Sequence, residues 1–171
     1  LLVHQKVVRD YLNIFTPYKG LLLLHGLGSG KTCSSITIAE GLKTNKKVVV
    51  LTPKSLLRNY IEELKVCGDP LYKTNYYWNF TSIYGEKESE PGVKIDLLNQ
   101  LVMELGLSES YIKENKGAWV PDSTRKSNFE KLTSSQQKMI KTQINEMIST
   151  KYNFVSYNGL RKDNINFKLK T

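Results

Sequence analysis

Eight residues near the start of the chain, His25-Gly26-Leu27-Gly28-Ser29-Gly30-Lys31-Thr32, combine glycines, a lysine and a hydroxyl at a spacing suited to binding phosphate. Closely spaced glycines let the backbone turn successive N–H groups inward around phosphate oxygens. A helix beginning at the lysine adds its positive N-terminus to the same phosphates. Lys31 can then contact the β- and γ-phosphates, and the Thr32 hydroxyl can coordinate Mg²⁺ held on the nucleotide. The candidate nucleotide ligands are therefore Gly26, Gly28, Ser29, Gly30, Lys31 and Thr32, with Lys31 and Thr32 as the catalytic pair. The regular spacing has glycine where His25 stands, and Gly26 does not restore it, but Gly28-x-Gly30-Lys31-Thr32 is intact. His25 ends an apolar run and reads either as a hydrogen-bonded structural histidine or as a phosphate sensor.

The loop needs a strand before it and a helix after it, and the surrounding pattern supplies both. Residues 3–14 place Val7, Val8, Tyr11, Leu12 and Ile14 on one helical face. After a break at Thr16-Pro17-Tyr18-Lys19-Gly20, Leu21 to Leu24 forms a short apolar run, as a parallel strand buried on both faces requires. A helix over about 31–42 follows, then a second buried-strand run at 47–51. Thr52-Pro53 opens the next helix as a cap followed by proline at the first helical position. Leu56, Leu57, Tyr60, Ile61 and Leu64 line its apolar face, and Gly68 stops it.

Residues 79–83 suggest a third strand. The stretch 85–131 is polar and lysine-rich, punctuated by Pro91, Gly92, Gly106, Gly117 and Pro121, with one short helix expected over 95–105 and Asp96 on the surface. Thr133-Ser134-Ser135-Gln136 is a capping-box sequence. It leads into a helix with Ile140, Ile144, Met147 and Ile148 on one face, and 152–157 alternates like a strand. The expected fold is α/β: an incomplete, mostly parallel sheet with helices on both faces and a polar insertion at about 85–131.

The chain has 171 residues and a net charge of +9, from 25 Lys+Arg against 16 Asp+Glu. Such an excess suits nucleotides, nucleic acid or an acidic surface as partners, or simply a solvated lysine-rich exterior. Cys33 and Cys67 are too few for a disulfide framework or a four-ligand zinc site and read as free thiols in a reducing compartment. No stretch approaches the roughly twenty apolar residues of a membrane span. Opening on Leu rather than Met, the chain reads as an excerpt of something longer.

Gly28-Ser29-Gly30-Lys31-Thr32 followed by Thr52-Pro53-Lys54-Ser55-Leu56 resembles motifs I and Ia of superfamily 2 helicases. The run Tyr18-Lys19-Gly20-Leu21 through Glu63-Leu64 is similar to the helicase-like ATPases of large DNA viruses, a group that includes the poxvirus early-transcription-factor ATPase subunit and its giant-virus relatives. Tyr77-Trp78-Asn79-Phe80 and Tyr152 through Leu160 share that resemblance. It implies that residues 1–171 form the N-terminal part of a first RecA-like P-loop NTPase domain using ATP and Mg²⁺. It implies that Gln5 reads the adenine edge, although an ordinary helix-start glutamine fits as well. It also implies that Thr52, Pro53, Lys54, Ser55 and Arg58 contact nucleic-acid phosphates.

The partners implied are single- or double-stranded nucleic acid and viral transcription machinery. The setting implied is intracellular: host cytoplasm, viral factory or virion, with no membrane. No Asp-Glu pair occurs in the sequence, and the resemblance puts that acidic motif downstream of Tyr157-Asn158-Gly159. Trp78, Trp119, Tyr76 and Tyr77 are either stacking platforms for bases or packing residues. A small P-loop kinase and a nucleotide-gated scaffold in a transcription complex are the competing readings.

Overall fold

The computed structural model describes residues 2–26, 28–42, 47–84, 93–158 and 160. Leu27 of the glycine loop, Pro91 and Gly92 of the polar stretch and Gly159 of the Tyr-Asn-Gly segment lie outside the described residues. In chain order the elements are α1 (Val3–Tyr11), α2 (Lys31–Leu42), β1 (Val48–Thr52), α3 (Lys54–Cys67), β2 (Tyr77–Ser82), α4 (Ile95–Leu105), α5 (Glu109–Glu114), β3 (Gly117–Asp122), α6 (Ser134–Lys151) and β4 (Tyr152–Ser156). They fall into two compact units, Leu1–Pro70 with Tyr152–Thr171, and Leu71–Lys151.

The first unit is α/β. Its β-branched run Val48-Val49-Val50 pairs in parallel with β4, from Val48 opposite Tyr152 to Thr52 opposite Ser156. Helix α2 packs against α1 and α3, and α3 against β4. Ile36, Val50, Leu64, Tyr152 and Val155 are buried, and the Tyr152 hydroxyl donates to Glu40 Oε1 at 2.6 Å. This arrangement is compatible with part of a Rossmann- or RecA-like sheet.

Several expectations are corrected here. Leu21–Leu24 is not a strand: Leu22 is 79% and Leu24 84% exposed. Among the described residues β1 pairs only with β4, so the run has no neighbouring backbone to complete a ladder of hydrogen bonds. β1 buries Val50 and Thr52 while Val49 and Leu51 stay exposed, so it alternates and is not covered on both faces. Helix α1 stops at Tyr11, and its buried residue is Gln5, with Val7 and Tyr11 outside. Thr52 ends the strand, and Pro53 takes the cap position of α3 without a side-chain cap bond. Only Leu64 of the expected apolar face of α3 is fully buried. Gly68 does close the helix, its N–H donating to the Leu64 carbonyl at 2.9 Å.

The second unit holds an antiparallel pair, β2 with β3, from Tyr77 opposite Asp122 to Ser82 opposite Gly117. β2 therefore belongs to a separate sheet and not to the parallel one. Gly117, at φ 155°, sits where a side chain would run into the Thr81 carbonyl of the paired strand. The stretch expected to be polar with one short helix carries α5 and β3 besides α4, and it buries Leu98, Leu101, Leu105, Leu107, Ile112 and Trp119. Helix α4 matches its expected range, and Asp96 is exposed in its first turn. The capping box is present: Gln136 N–H donates to Thr133 Oγ1 at 3.3 Å, and Thr133 N–H to Gln136 Oε1 at 3.0 Å. Ile140, Ile144, Met147 and Ile148 of α6 are buried, as their spacing implies. Gln143 joins them because Trp119 N–H donates to its Oε1 at 2.8 Å and its Nε2 donates to the Trp119 carbonyl at 2.7 Å.

Candidate nucleotide site

The glycine loop leads directly into α2, so the first N–H groups of that helix lack intrahelical acceptors and face the loop end. Gly28 and Gly30 both adopt φ 76°, a left-handed conformation that glycine enters without penalty. A Cβ on Gly30 would lie 2.7 Å from Gln5 Nε2. Gln5 is 4% exposed; its Oε1 accepts the Leu2 N–H at 2.9 Å and its Nε2 donates to the Gly30 carbonyl at 3.4 Å. The structure thus places Gln5 directly on the loop, together with its neighbour His4, whose Nε2 lies 3.0 Å from the Ser29 carbonyl.

Within the loop, the Gly26 carbonyl accepts from Ser29 Oγ at 2.7 Å and from Lys31 Nζ at 2.8 Å. Lys31 Nζ also donates to the His25 carbonyl at 3.0 Å. The ammonium is therefore folded onto its own loop and must leave two carbonyls to reach a phosphate. His25 packs edge-on against His4, with ring centroids 5.4 Å apart. Its buried Nδ1 has no hydrogen-bond partner among the described residues, so the expectation of a hydrogen-bonded histidine is not met at that atom.

Thr32 and Thr52 line one cavity of about 310 Å³, completed by Leu56, Asn59, Tyr60 and Glu63 of α3. Thr32 comes from the start of α2 and Thr52 from the carboxyl end of β1, where open α/β sheets bind ligands. Pro53 is half-buried beside it, whereas Lys54, Ser55 and Arg58 are exposed on the first turns of α3. Burial pushes the Tyr60 hydroxyl above its ordinary pKa; its hydrogen bond with Ser35 works against that, and the Glu40 charge adds to it. Asn59 and Glu63 escaped the sequence reading, and Leu56 and Tyr60 were read only as part of an apolar face, although the four repeat at the three- and four-residue steps that define one helix face.

One expectation at the site fails. Cys33 and Cys67 are not free thiols: the structure joins them, with Cα atoms 5.5 Å apart, because the first turn of α2 lies beside the last turn of α3. In the second unit Trp78 and Trp119 are buried, so of the two readings, packing and base stacking, packing is the one that holds. Trp78 Nε1 donates to the Thr74 carbonyl at 2.9 Å. Tyr76 and Tyr77 are half-buried, with the Arg125 guanidinium 3.7 Å from the Tyr77 ring centroid.

The chain resembles helicase-like proteins of large DNA viruses over part of its length. A provisionally named ATP-dependent RNA helicase of Acanthamoeba polyphaga mimivirus is 43% identical over 74 residues, covering 43% of this chain and 13% of the relative. A second mimivirus protein of the same provisional name is 30% identical over 138 residues, 76% of this chain and 12% of the relative. A provisionally named helicase of Invertebrate iridescent virus 3 is 39% identical over 82 residues, 39% of this chain and 8% of the relative. The chain thus spans 13% or less of the length of these relatives. No family model matches it, and no solved structure does. Among the described residues no helix is long and apolar enough to cross a membrane.

Proposed function

We propose that this chain is the front part of the first RecA-like domain of a superfamily 2 helicase-like motor, which binds ATP with Mg²⁺ and hydrolyses it when nucleic acid is engaged. The observation that carries the reading is the shared cavity: Thr32 of the phosphate loop and Thr52 of the Thr-Pro motif face the same space. The donors present suit a magnesium nucleotide. Glycine N–H groups and Lys31 hold phosphate, the Thr32 hydroxyl offers a hard oxygen ligand, and the bound ion supplies neutralisation of phosphate charge. Gln5 is the group to read adenine, and to do so its amide must turn away from the Leu2 N–H and the Gly30 carbonyl that it now engages.

Helix α3 forms a wall of that cavity and begins with the exposed Lys54, Ser55 and Arg58. Contacts of these residues with a nucleic-acid backbone therefore sit on the helix that also flanks the nucleotide. That continuity is what a motor requires to couple hydrolysis to strand movement. The helicase names of the viral relatives support the same reading; viral transcription and a cytoplasmic, viral-factory or virion setting belong to the proposal. The test is phosphate release by the intact protein with and without oligonucleotide. Stimulation that disappears in Lys31→Ala is the expected result. Turnover indifferent to nucleic acid points to a scaffold, and turnover that needs a phosphate acceptor points to a kinase; either outcome overturns the motor.

A further inference from the structure

Cys33 directly follows Thr32 in the first turn of α2, and Cys67 is the last residue of α3. Their Cα separation of 5.5 Å lies within the range a disulfide bridges without backbone movement. Glu63, one turn before Cys67, places Oε2 3.4 Å from Cys33 Sγ and 3.7 Å from Cys67 Sγ. Both cysteines are partly accessible, and the bond they form ends two residues from the lysine of the phosphate loop.

We propose that Cys33 and Cys67 are a reversible dithiol–disulfide site whose oxidation state governs nucleotide binding at the adjoining loop. The effect on nucleotide rests on the phosphate-loop reading; the pairing of the sulfurs does not. The oxidant is a hydroperoxide. One thiolate attacks the outer peroxide oxygen and the O–O bond breaks, giving a sulfenic acid and an alcohol. The second sulfur then attacks the first, and hydroxide leaves as water with the second thiol's proton. Two thiols and one hydroperoxide become one disulfide, one alcohol and one water, and the sulfurs lose two electrons. A dithiol reductant reverses this by exchange through a mixed disulfide.

Glu63 sets the rate. Its carboxylate lies against both sulfurs, so its charge opposes the negative charge carried by the attacking sulfur. The coupling runs through α2. With the bond closed, the start of the helix is pinned to α3 while the Lys31 ammonium is held by the His25 and Gly26 carbonyls. Opening the bond lets the helix start and loop adjust together, as a closing phosphate site requires.

The experiment uses the 171-residue chain equilibrated in glutathione buffers of graded poise, acid-quenched, alkylated and weighed. The expected result is an intramolecular loss of both alkylatable thiols, independent of protein concentration. Titration with a fluorescent ATP analogue should show at least fivefold weaker binding by the oxidised form. The variant carrying both Cys33→Ser and Cys67→Ser should bind equally in both buffers, since no thiol remains to exchange with glutathione, and Glu63→Gln should react faster with hydrogen peroxide without altering the final oxidised state. Two alkylatable thiols under oxidising buffer would overturn the pairing. So would stoichiometric zinc uptake by the reduced chain that shields both sulfurs, since the cluster would then be a metal site. Equal nucleotide affinity in the two states overturns the coupling. Absence of nucleotide binding in either state, with the thiols still pairing, rejects the phosphate-loop reading and the coupling together while the mass measurement upholds the pairing.

Discussion

The two units differ in how they use their apolar residues. In Leu71–Lys151, two tryptophans, three helices and an antiparallel pair close around buried Leu, Ile and Met side chains. In the unit carrying the glycine loop, Leu22, Leu24, Val49 and Leu51 lie open to solvent, and among the described residues a single parallel pair forms the sheet. Local stability follows buried apolar contact, so the candidate site is mounted on the unit that leaves more of its apolar side chains open. The bulky core serves the unit to which none of the candidate site residues belongs.

Substitutions can break this contrast. The largest effect is expected for Trp78→Ala, which removes a side chain that is 1% exposed from the second unit. It should cost about 3–5 kcal/mol in urea unfolding, whereas a loss below about 1 kcal/mol would mean that this core is not closed. Gln143→Leu strands the Trp119 N–H and carbonyl that Gln143 now satisfies. That change should cost about 1–3 kcal/mol, and calorimetry showing an unchanged Tm would contradict the account.

Gly30→Ala forces a side chain into left-handed backbone and against Gln5. A strain of about 1–3 kcal/mol should appear as roughly five- to 150-fold weaker nucleotide binding, with the second unit's amide exchange undisturbed. Replacing Lys54 and Arg58 together should flatten the salt dependence of oligonucleotide binding by about 0.7 per lost phosphate contact. Superimposable salt titrations for wild type and double mutant would remove the start of α3 from the binding surface. The smallest effect is expected at the open face: Leu24→Ser should change stability by no more than about 0.5 kcal/mol, and a larger loss would show that the run is covered in solution.

Legibility in the sequence tracks how local each signal is. The start of α2, the range of α4 and the Thr133–Gln136 capping box depend on neighbours within one or two helical turns, and all appear where expected. The β2–β3 pairing does not: Trp78 meets Pro121 across a separation that no local pattern encodes. Leu98, Leu101, Leu105 and Ile112 are spread among lysines and glutamates, so average polarity hid a buried set that helical spacing partly revealed. Leu21–Leu24 misled in the other direction, since an apolar run specifies burial only when a partner strand exists. At the site, the loop and Thr-Pro motif were readable as short motifs. The approach of Cys67 and Glu63 to Cys33 was not, because it depends on how α2 and α3 pack.

Under the proposed function Lys31 and its loop hold nucleotide phosphates. Isothermal titration of ATP with Mg²⁺ into the reduced chain, wild type against Lys31→Ala, tests it most directly. Loss of one charge-assisted contact, about 1.5–3 kcal/mol, predicts roughly ten- to hundredfold weaker binding by the mutant with an unchanged unfolding transition. Equal affinities for the two proteins would contradict the assignment.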